Sequence, residues 1–194
     1  PLDSNASHGV FRIESEEDIE KHFDESMSFS RIRQAVIAER YIAGQEFTID
    51  GIKTRNHHYT LAISRKEHYK HNPGIANELY FSYDDPEYDY EKLRKVNDAY
   101  VMASGLEYGF THAEYKYENG DYYLIEIAAR GGGNMISSVI TQYLSGYQTY
   151  DFLINAALGE IKDTDFSIKD EYKGRCAVLK FFGVPCGGGV VKEV

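Results

Sequence analysis

The chain has 194 residues, 42% of them hydrophobic and 27% charged, which is enough for a packed core and excludes both a disordered and a membrane-spanning chain. Its formal charge of -10 argues against a nucleic-acid surface, which needs a basic stripe, and no apolar run approaches the roughly 20 residues that cross a bilayer. Cys176 and Cys186 are too few for a disulfide scaffold or a structural zinc site; they are expected as unpaired thiols in a reducing cytoplasm.

In chain order, Pro1–Gly9 (PLDSNASHG) is expected as a polar loop and Val10–Ile13 as a short alternating strand. Glu14–Ser26 is expected as a helix, with Ser15 as N-cap and acids in its first turn, where the helix dipole favours them. Ala35–Tyr41 is an apolar run of strand length. Gln45–Ile52 and Tyr59–Ile63 are expected as strands, with a turn near Asp50-Gly51. Ser64–Asp89 is expected as a long polar excursion, so His57, His58, His68 and His71 are expected to be solvated. Tyr90–Ser104 has Leu93, Val96, Tyr100 and Val101 on one stripe and is expected as a helix ended by Gly105.

His112–Tyr117 alternates with period two, Glu118-Asn119-Gly120-Asp121 supplies a turn that favours positive φ, and Tyr122–Ile127 returns as the second strand. Helices are expected over Met135–Leu144 and Tyr150–Leu158, a last strand over Cys176–Phe182, and a plain turn at Gly187–Gly189. Strands and helices without strict βαβ alternation imply an α+β fold: a mostly antiparallel sheet with helices on one side.

The hairpin carries the chemistry. Glu114 and Glu126 lie twelve residues apart on its two strands, roughly opposite each other about the turn. Two facing carboxylates repel unless a cation sits between them, and hard oxygens suit Mg²⁺. Arg130 follows with a planar cation suited to phosphate or carboxylate, and Gly131-Gly132-Gly133 lets backbone N–H groups approach a ligand. The same residues also read as a solvent-facing hairpin with ordinary acids. His112 is equally readable as pointing at this site or as packing on the sheet. Ser4, Asn5, Ser7, His8 and Gly9 offer small donors that can wrap phosphate, or form a plain loop. Glu39 to Phe47 (ERYIAGQEF) reads as a strand, a glycine turn and an acid, or as an ordinary connection.

Taken together, these three elements resemble the ATP-grasp superfamily, whose members activate a carboxylate as an acyl phosphate for attack by a nucleophile. Residues 1–10 resemble the K-P-x-D-S-x-x-S-x-G-V segment that closes over the phosphates, the lysine falling before Pro1. The resemblance implies that Ser4, Asn5, Ser7, His8 and Gly9 contact phosphate. It implies that the stretch holding Glu39, Tyr41 and Ile42 holds adenine through its backbone, and that Glu46 binds the ribose. By the same resemblance Glu114 and Glu126 ligate Mg²⁺ or Mn²⁺, and Arg130 contacts the transferred phosphoryl group of ATP. His112-x-Glu114 with Glu126-x-Ala-Ala-Arg130 looks closest to the amino-acid and carboxylate–amine ligase branch. Ala128 stands where many members carry Asn as a further metal ligand.

What the resemblance implies is the end of a small ATP lid over 1–40 and a large subdomain over 41–194, read as a piece of a longer polypeptide that is weakly active or inactive alone. Its substrates would be a small carboxylate and an amine, with no nucleic acid or membrane partner, and a homodimer is compatible with it. A bicarbonate-activating carboxylase or carbamoyl-phosphate synthase-like module is the alternative enzyme, and a non-catalytic ATP-binding module the alternative of another class.

Overall fold

The computed structural model describes residues 1–4, 7–32, 34–160, 164–183, 189–190 and 192–193. These divide into two compact units, Pro1–Ile42 and Ala43–Val194. Cys186, Gly187 and Gly188 lie outside the described residues. Among the described residues no helix is long and apolar enough to cross a membrane.

The first unit contains helix α1 (Glu16–Ser28), two residues later than its composition suggested. Its start is fixed by a reciprocal cap. The Asp18 N–H donates to Ser15 Oγ at 3.3 Å, and the Ser15 N–H donates to the Asp18 carboxylate at 3.0 Å. Val10–Ile13 and Ala35–Tyr41, both expected as strands, are not strands. An alternating or apolar run becomes a strand only where a partner edge completes its ladder, and the backbone bonds here include Leu2 N–H to the Ala35 carbonyl at 3.0 Å and Val10 N–H to the Ser7 carbonyl at 3.2 Å, which make no ladder.

The second unit is built on a six-stranded antiparallel sheet: β1 (Gln45–Lys53), β2 (His58–Tyr69), β3 (Asn72–Ser82), β4 (Gly109–Glu118), β5 (Asp121–Ala128) and β6 (Ala177–Lys180), ordered β5-β4-β1-β2-β3-β6. The polar stretch after Ile63 is therefore not a loop but the rest of β2 and all of β3. Its polarity misleads because the side chains along this part of the sheet include Ser64, Lys66 and His68, which serve a polar face. Asp50-Gly51 is likewise not a turn. The β1–β2 register shifts there, with Asp50 opposite Ala62 and Gly51 opposite Thr60, so Leu61 is an extra residue in β2. Asn119 and Gly120 do form the β4–β5 turn, with φ of 54° and 90°.

Helices lie on both faces rather than on one. Helix α2 (Tyr90–Ala103) packs Tyr90 and Leu93 against Phe47, Ile49, Ala113 and Tyr115. Neighbouring side chains along a strand point oppositely, so Thr48, Asp50, His112 and Glu114 face the other way. Over part of that second face lie a π-helical turn (Ile136–Ile140) and α3 (Thr141–Ser145), whose Ile136, Ile140 and Leu144 cover Ala62, Leu79 and Phe81. Helix α4 (Thr149–Ala157) places Phe152 and Ala156 on Ile52 and Phe110. A short α5 (Asp170–Lys173) precedes β6.

Phe47 is fully buried, with its ring edge-on to Tyr88, Tyr90 and Tyr122. Phe47→Ala is expected to cost about 3–5 kcal/mol, seen as a lower urea midpoint at unchanged slope.

Candidate active site

In the first unit, the loop expected to hold phosphate is folded on its own contacts. Ser4 Oγ donates to the His8 carbonyl at 2.9 Å, Ser26 Oγ donates to the Gly9 carbonyl at 2.8 Å, and the His8 ring stacks on Phe29. Ser7 and Gly9 have φ of 56° and 72°. Asp3 anchors the segment by accepting from Ser30 Oγ at 2.7 Å and the Arg31 N–H at 3.0 Å. Asn5 lies outside the described residues. Glu39 is exposed, Tyr41 sits 4.3 Å beneath the Arg12 guanidinium, and Ile42 is buried.

In the second unit, Glu46, Glu114 and Glu126 stand on the polar face of the sheet. Glu114 and Glu126 are direct cross-strand partners, a relation that puts Cβ atoms about 5 Å apart. The hairpin alone would not do this. Counting back from the Glu118–Asp121 pair puts Leu124 opposite Tyr115 and would put Ile125 opposite Glu114, turning Glu126 to the α2 face. The register instead shifts between Glu114 and Tyr115, leaving Ile125 unpaired and returning Glu126 to the side of Glu114.

The row continues from Glu114 to Thr48 and Ser64, whose hydroxyls are 2.6 Å apart. One row away, Glu46 pairs in register with Lys66. Lys66 Nζ lies 2.7 Å from Glu46 Oε1 and 2.7 Å from Glu114 Oε1, joining the two acids. His68 Nε2 is 3.4 Å from the other oxygen of Glu46. In the next row His112 Nδ1 is 2.9 Å from Asp50 Oδ1, and His112 Nε2 is 3.7 Å from Glu114 Oε1. Asp50 Oδ1 also accepts the Gly132 N–H at 3.2 Å.

Burial alone would lower the His112 pKa, but hydrogen bonding and attraction to Asp50 and Glu114 outweigh it and push it up to about 9. For Glu114 burial alone would raise the pKa, and His112 and Lys66 hold it instead at about 2. Lys66 is raised above the ordinary lysine value: the Glu114 and Glu46 carboxylates overcome its burial.

Arg130 follows β5, is exposed, and donates to the Gly131 carbonyl at 3.0 Å. The glycines behind it are not interchangeable. A Cβ on Gly132 would stand 2.6 Å from Asp50 Oδ1 and 3.0 Å from His112 Nδ1, whereas one on Gly133 would meet nothing. Asn134 and Met135 both have positive φ.

Among the described residues no group of three or more His, Cys, Asp or Glu side chains could hold a metal ion by itself. Two carboxylates on one row, one ionised by its neighbours and one exposed, nevertheless fit Mg²⁺, which is habitually held by one or two carboxylates with water and phosphate oxygens.

Several members of this face are not legible in the sequence: Asp50 lies inside β1 where a turn is expected, and Lys66 and His68 lie in β2 where a loop is expected. The signal available was the polar–apolar alternation of Glu46-Phe47-Thr48-Ile49-Asp50; Ser64 to His68 carries none, because Arg65 and Glu67 stand between. His58 is not solvated either: it is buried, with Nδ1 2.6 Å from Asp98 and Nε2 2.8 Å from Thr111.

The profile of the ATP-grasp domain matches residues 1–139. A comparison with the curated proteins finds no match. Among solved structures, an L-amino acid ligase from Bacillus licheniformis is 26% identical, with a TM-score of 0.54 over 63% of this chain and 34% of its own. A phosphoribosylglycinamide synthetase from Anaerococcus prevotii is 22% identical, with a TM-score of 0.57 over 75% of this chain and 37% of its own. A biotin carboxylase from Campylobacter jejuni shares the fold at 14% identity, with a TM-score of 0.68 over 90% of this chain and 39% of its own. The chain thus spans between about a third and two fifths of the length of these structures.

In metal-free protein the raised His112 contributes stability that is complete below its unfolded value of 6.5 and is lost as pH climbs through about 9. The depressed Glu114 contributes stability that is complete above its unfolded value of 4.5 and is lost as pH falls towards about 2. Urea midpoints measured across pH should show Glu114→Gln flattening the acid limb and His112→Gln the alkaline limb, each by on the order of 1–3 kcal/mol.

Proposed function

The chain belongs to the ATP-grasp family, and on that footing we propose that it is the nucleotide- and metal-binding part of an ATP- and Mg²⁺-dependent ligase that joins a carboxylate to an amine. The observation that carries this reading is the direct pairing of Glu114 with Glu126, followed at once by Arg130 and the glycine loop. Adenine binding alone needs neither paired acids nor a cation beside them, so this arrangement speaks for catalysis over a non-catalytic nucleotide module. The amine-ligase direction is supported by the likeness to an L-amino acid ligase and by the Ala-Ala-Arg sequence at 128–130.

In this reading Glu114 and Glu126 hold Mg²⁺ or Mn²⁺, which when bound supplies charge neutralisation at the phosphates of ATP. Glu46 takes the ribose hydroxyls. Arg130 is directed at the phosphoryl group that passes to the substrate carboxylate, where a fixed cation offsets developing charge. The Lys66 and His112 side chains keep Glu114 ionised and oriented. Ser4, Asn5, Ser7, His8 and Gly9 are proposed as phosphate contacts, and the backbone around Glu39, Tyr41 and Ile42 as adenine contacts, on their motifs alone. The exposed free Cys176 accords with a cytoplasmic setting.

The deciding measurement is ADP release by the intact protein with Mg²⁺ and a panel of amino-acid pairs. Release with bicarbonate and no amino-acid pair would replace this reading by the carboxylase one, and ATP binding without release under any condition would replace it by the binding module. Two substitutions refine the site. Glu126→Ala is expected to lower Mg²⁺-dependent turnover by at least about 100-fold with the fold intact, and Arg130→Ala to lower kcat far more than ATP affinity, by about 100-fold or more.

A further inference from the structure

We propose that Asp50 is a positioning residue that ties the glycine loop behind Arg130 to the metal-facing acid Glu114, using a single carboxylate oxygen for both. The metal arm rests on the reading of Glu114 given above; the loop arm does not.

Asp50 is 2% exposed. A carboxylate so buried is tolerated only where charge and hydrogen bonds compensate it. Here two donors, His112 Nδ1 at 2.9 Å and the Gly132 N–H at 3.2 Å, converge on Oδ1. Among the described residues Oδ2 has no hydrogen-bond partner. A side chain selected only for stability would engage both oxygens or be replaced by an apolar one. What this one does is join two elements. On one side His112 reaches Glu114 through Nε2. On the other, Gly132 lies so close that any Cβ would collide with Oδ1.

The loop itself needs such a hold. Asn134 and Met135 are consecutive non-glycine residues at φ of 50° and 64°, a conformation that persists only where the surroundings over-determine it. Gly132 is gripped at both of its polar groups. Its N–H is held by Asp50, and its carbonyl accepts from the Ser137 N–H at 3.2 Å and from Ser137 Oγ at 3.0 Å. The extra residue Leu61 in β2 falls opposite the Asp50–Gly51 step, and bulges recur where a strand must re-aim a side chain beside a site.

The test uses Asp50→Asn, which keeps the shape and one acceptor but removes the charge, and His112→Gln, which cuts only the arm to Glu114. Two quantities are read: amide hydrogen exchange over Gly131–Ser137, and Mn²⁺ affinity by electron paramagnetic resonance in the presence of a non-hydrolysable ATP analogue. Asp50→Asn should speed loop exchange about tenfold relative to β1 and β4 amides and weaken Mn²⁺ binding by about tenfold, the scale usual for outer-shell partners of a metal ligand. His112→Gln should weaken Mn²⁺ binding comparably and leave loop exchange within about twofold of wild type. Asp50→Asn leaving both quantities unchanged would overturn the proposal. So would uniformly faster exchange over sheet and loop, which is what a purely structural acid predicts. If Asp50→Asn does not fold, unchanged Mn²⁺ affinity in His112→Gln still sinks it. Glu114→Gln with unaltered Mn²⁺ affinity would remove the metal reading and the metal arm together, while exchange in the loop still decides the other arm.

Discussion

On a pleated sheet the face a side chain occupies is set by register, and a slip of one residue sends it to the other side. Two single-residue insertions set the register here. Ile125 in β5 brings Glu126 to the side of Glu114, and Leu61 in β2 falls opposite Asp50. Were β5 to pair without its shift, Glu126 would turn into the apolar packing of α2 while Glu114 stayed on the polar face. With both insertions, one face is apolar and carries Phe47, Ile49, Ala113 and Tyr115, and the other collects the carboxylates.

Collecting carboxylates has an electrostatic consequence. Glu46, Asp50 and Glu114 lie within a few residues of one another in the sheet, and all are at least partly buried. Acids so placed destabilise a fold unless cations stand among them. Lys66 joins Glu46 to Glu114, and His112 stands between Asp50 and Glu114. The same contacts that make the face tolerable keep Glu114 ionised over the whole physiological range. Stability and readiness to take a divalent cation therefore have one physical origin. Glu126, exposed at the outer strand, is left outside that compensation.

The polar face also explains where sequence periodicity misled. A stretch such as Ser64 to Tyr69 reads as solvent-exposed because every second residue is polar and those between are not strongly apolar. In the sheet those polar residues point at other polar residues across strands, as Lys66 does at Glu46. Conversely, Ala35–Tyr41 has the composition of a strand and no strand partner among the described residues. His58 looked like half of a solvated histidine pair, yet is buried between Asp98 of α2 and Thr111 of β4. Its partners lie 40 and 53 residues away in the chain, a separation that local pattern does not see.

The sequence by itself determined the local structure whose causes are local. It determined the start of α1 through Ser15, the hairpin through Asn119-Gly120, the stripe that makes α2, and the order of motifs that marks an ATP-grasp domain. Only the tertiary structure decided that Glu126 shares a face with Glu114, that Asp50 is a buried acid rather than a turn residue, and that Lys66 is the counter-ion of two acids. Each of these depends on which residue of one strand stands opposite which residue of another. That choice follows from packing on both faces of the sheet at once, and a single extra residue reverses it without leaving a mark in the periodicity of either strand.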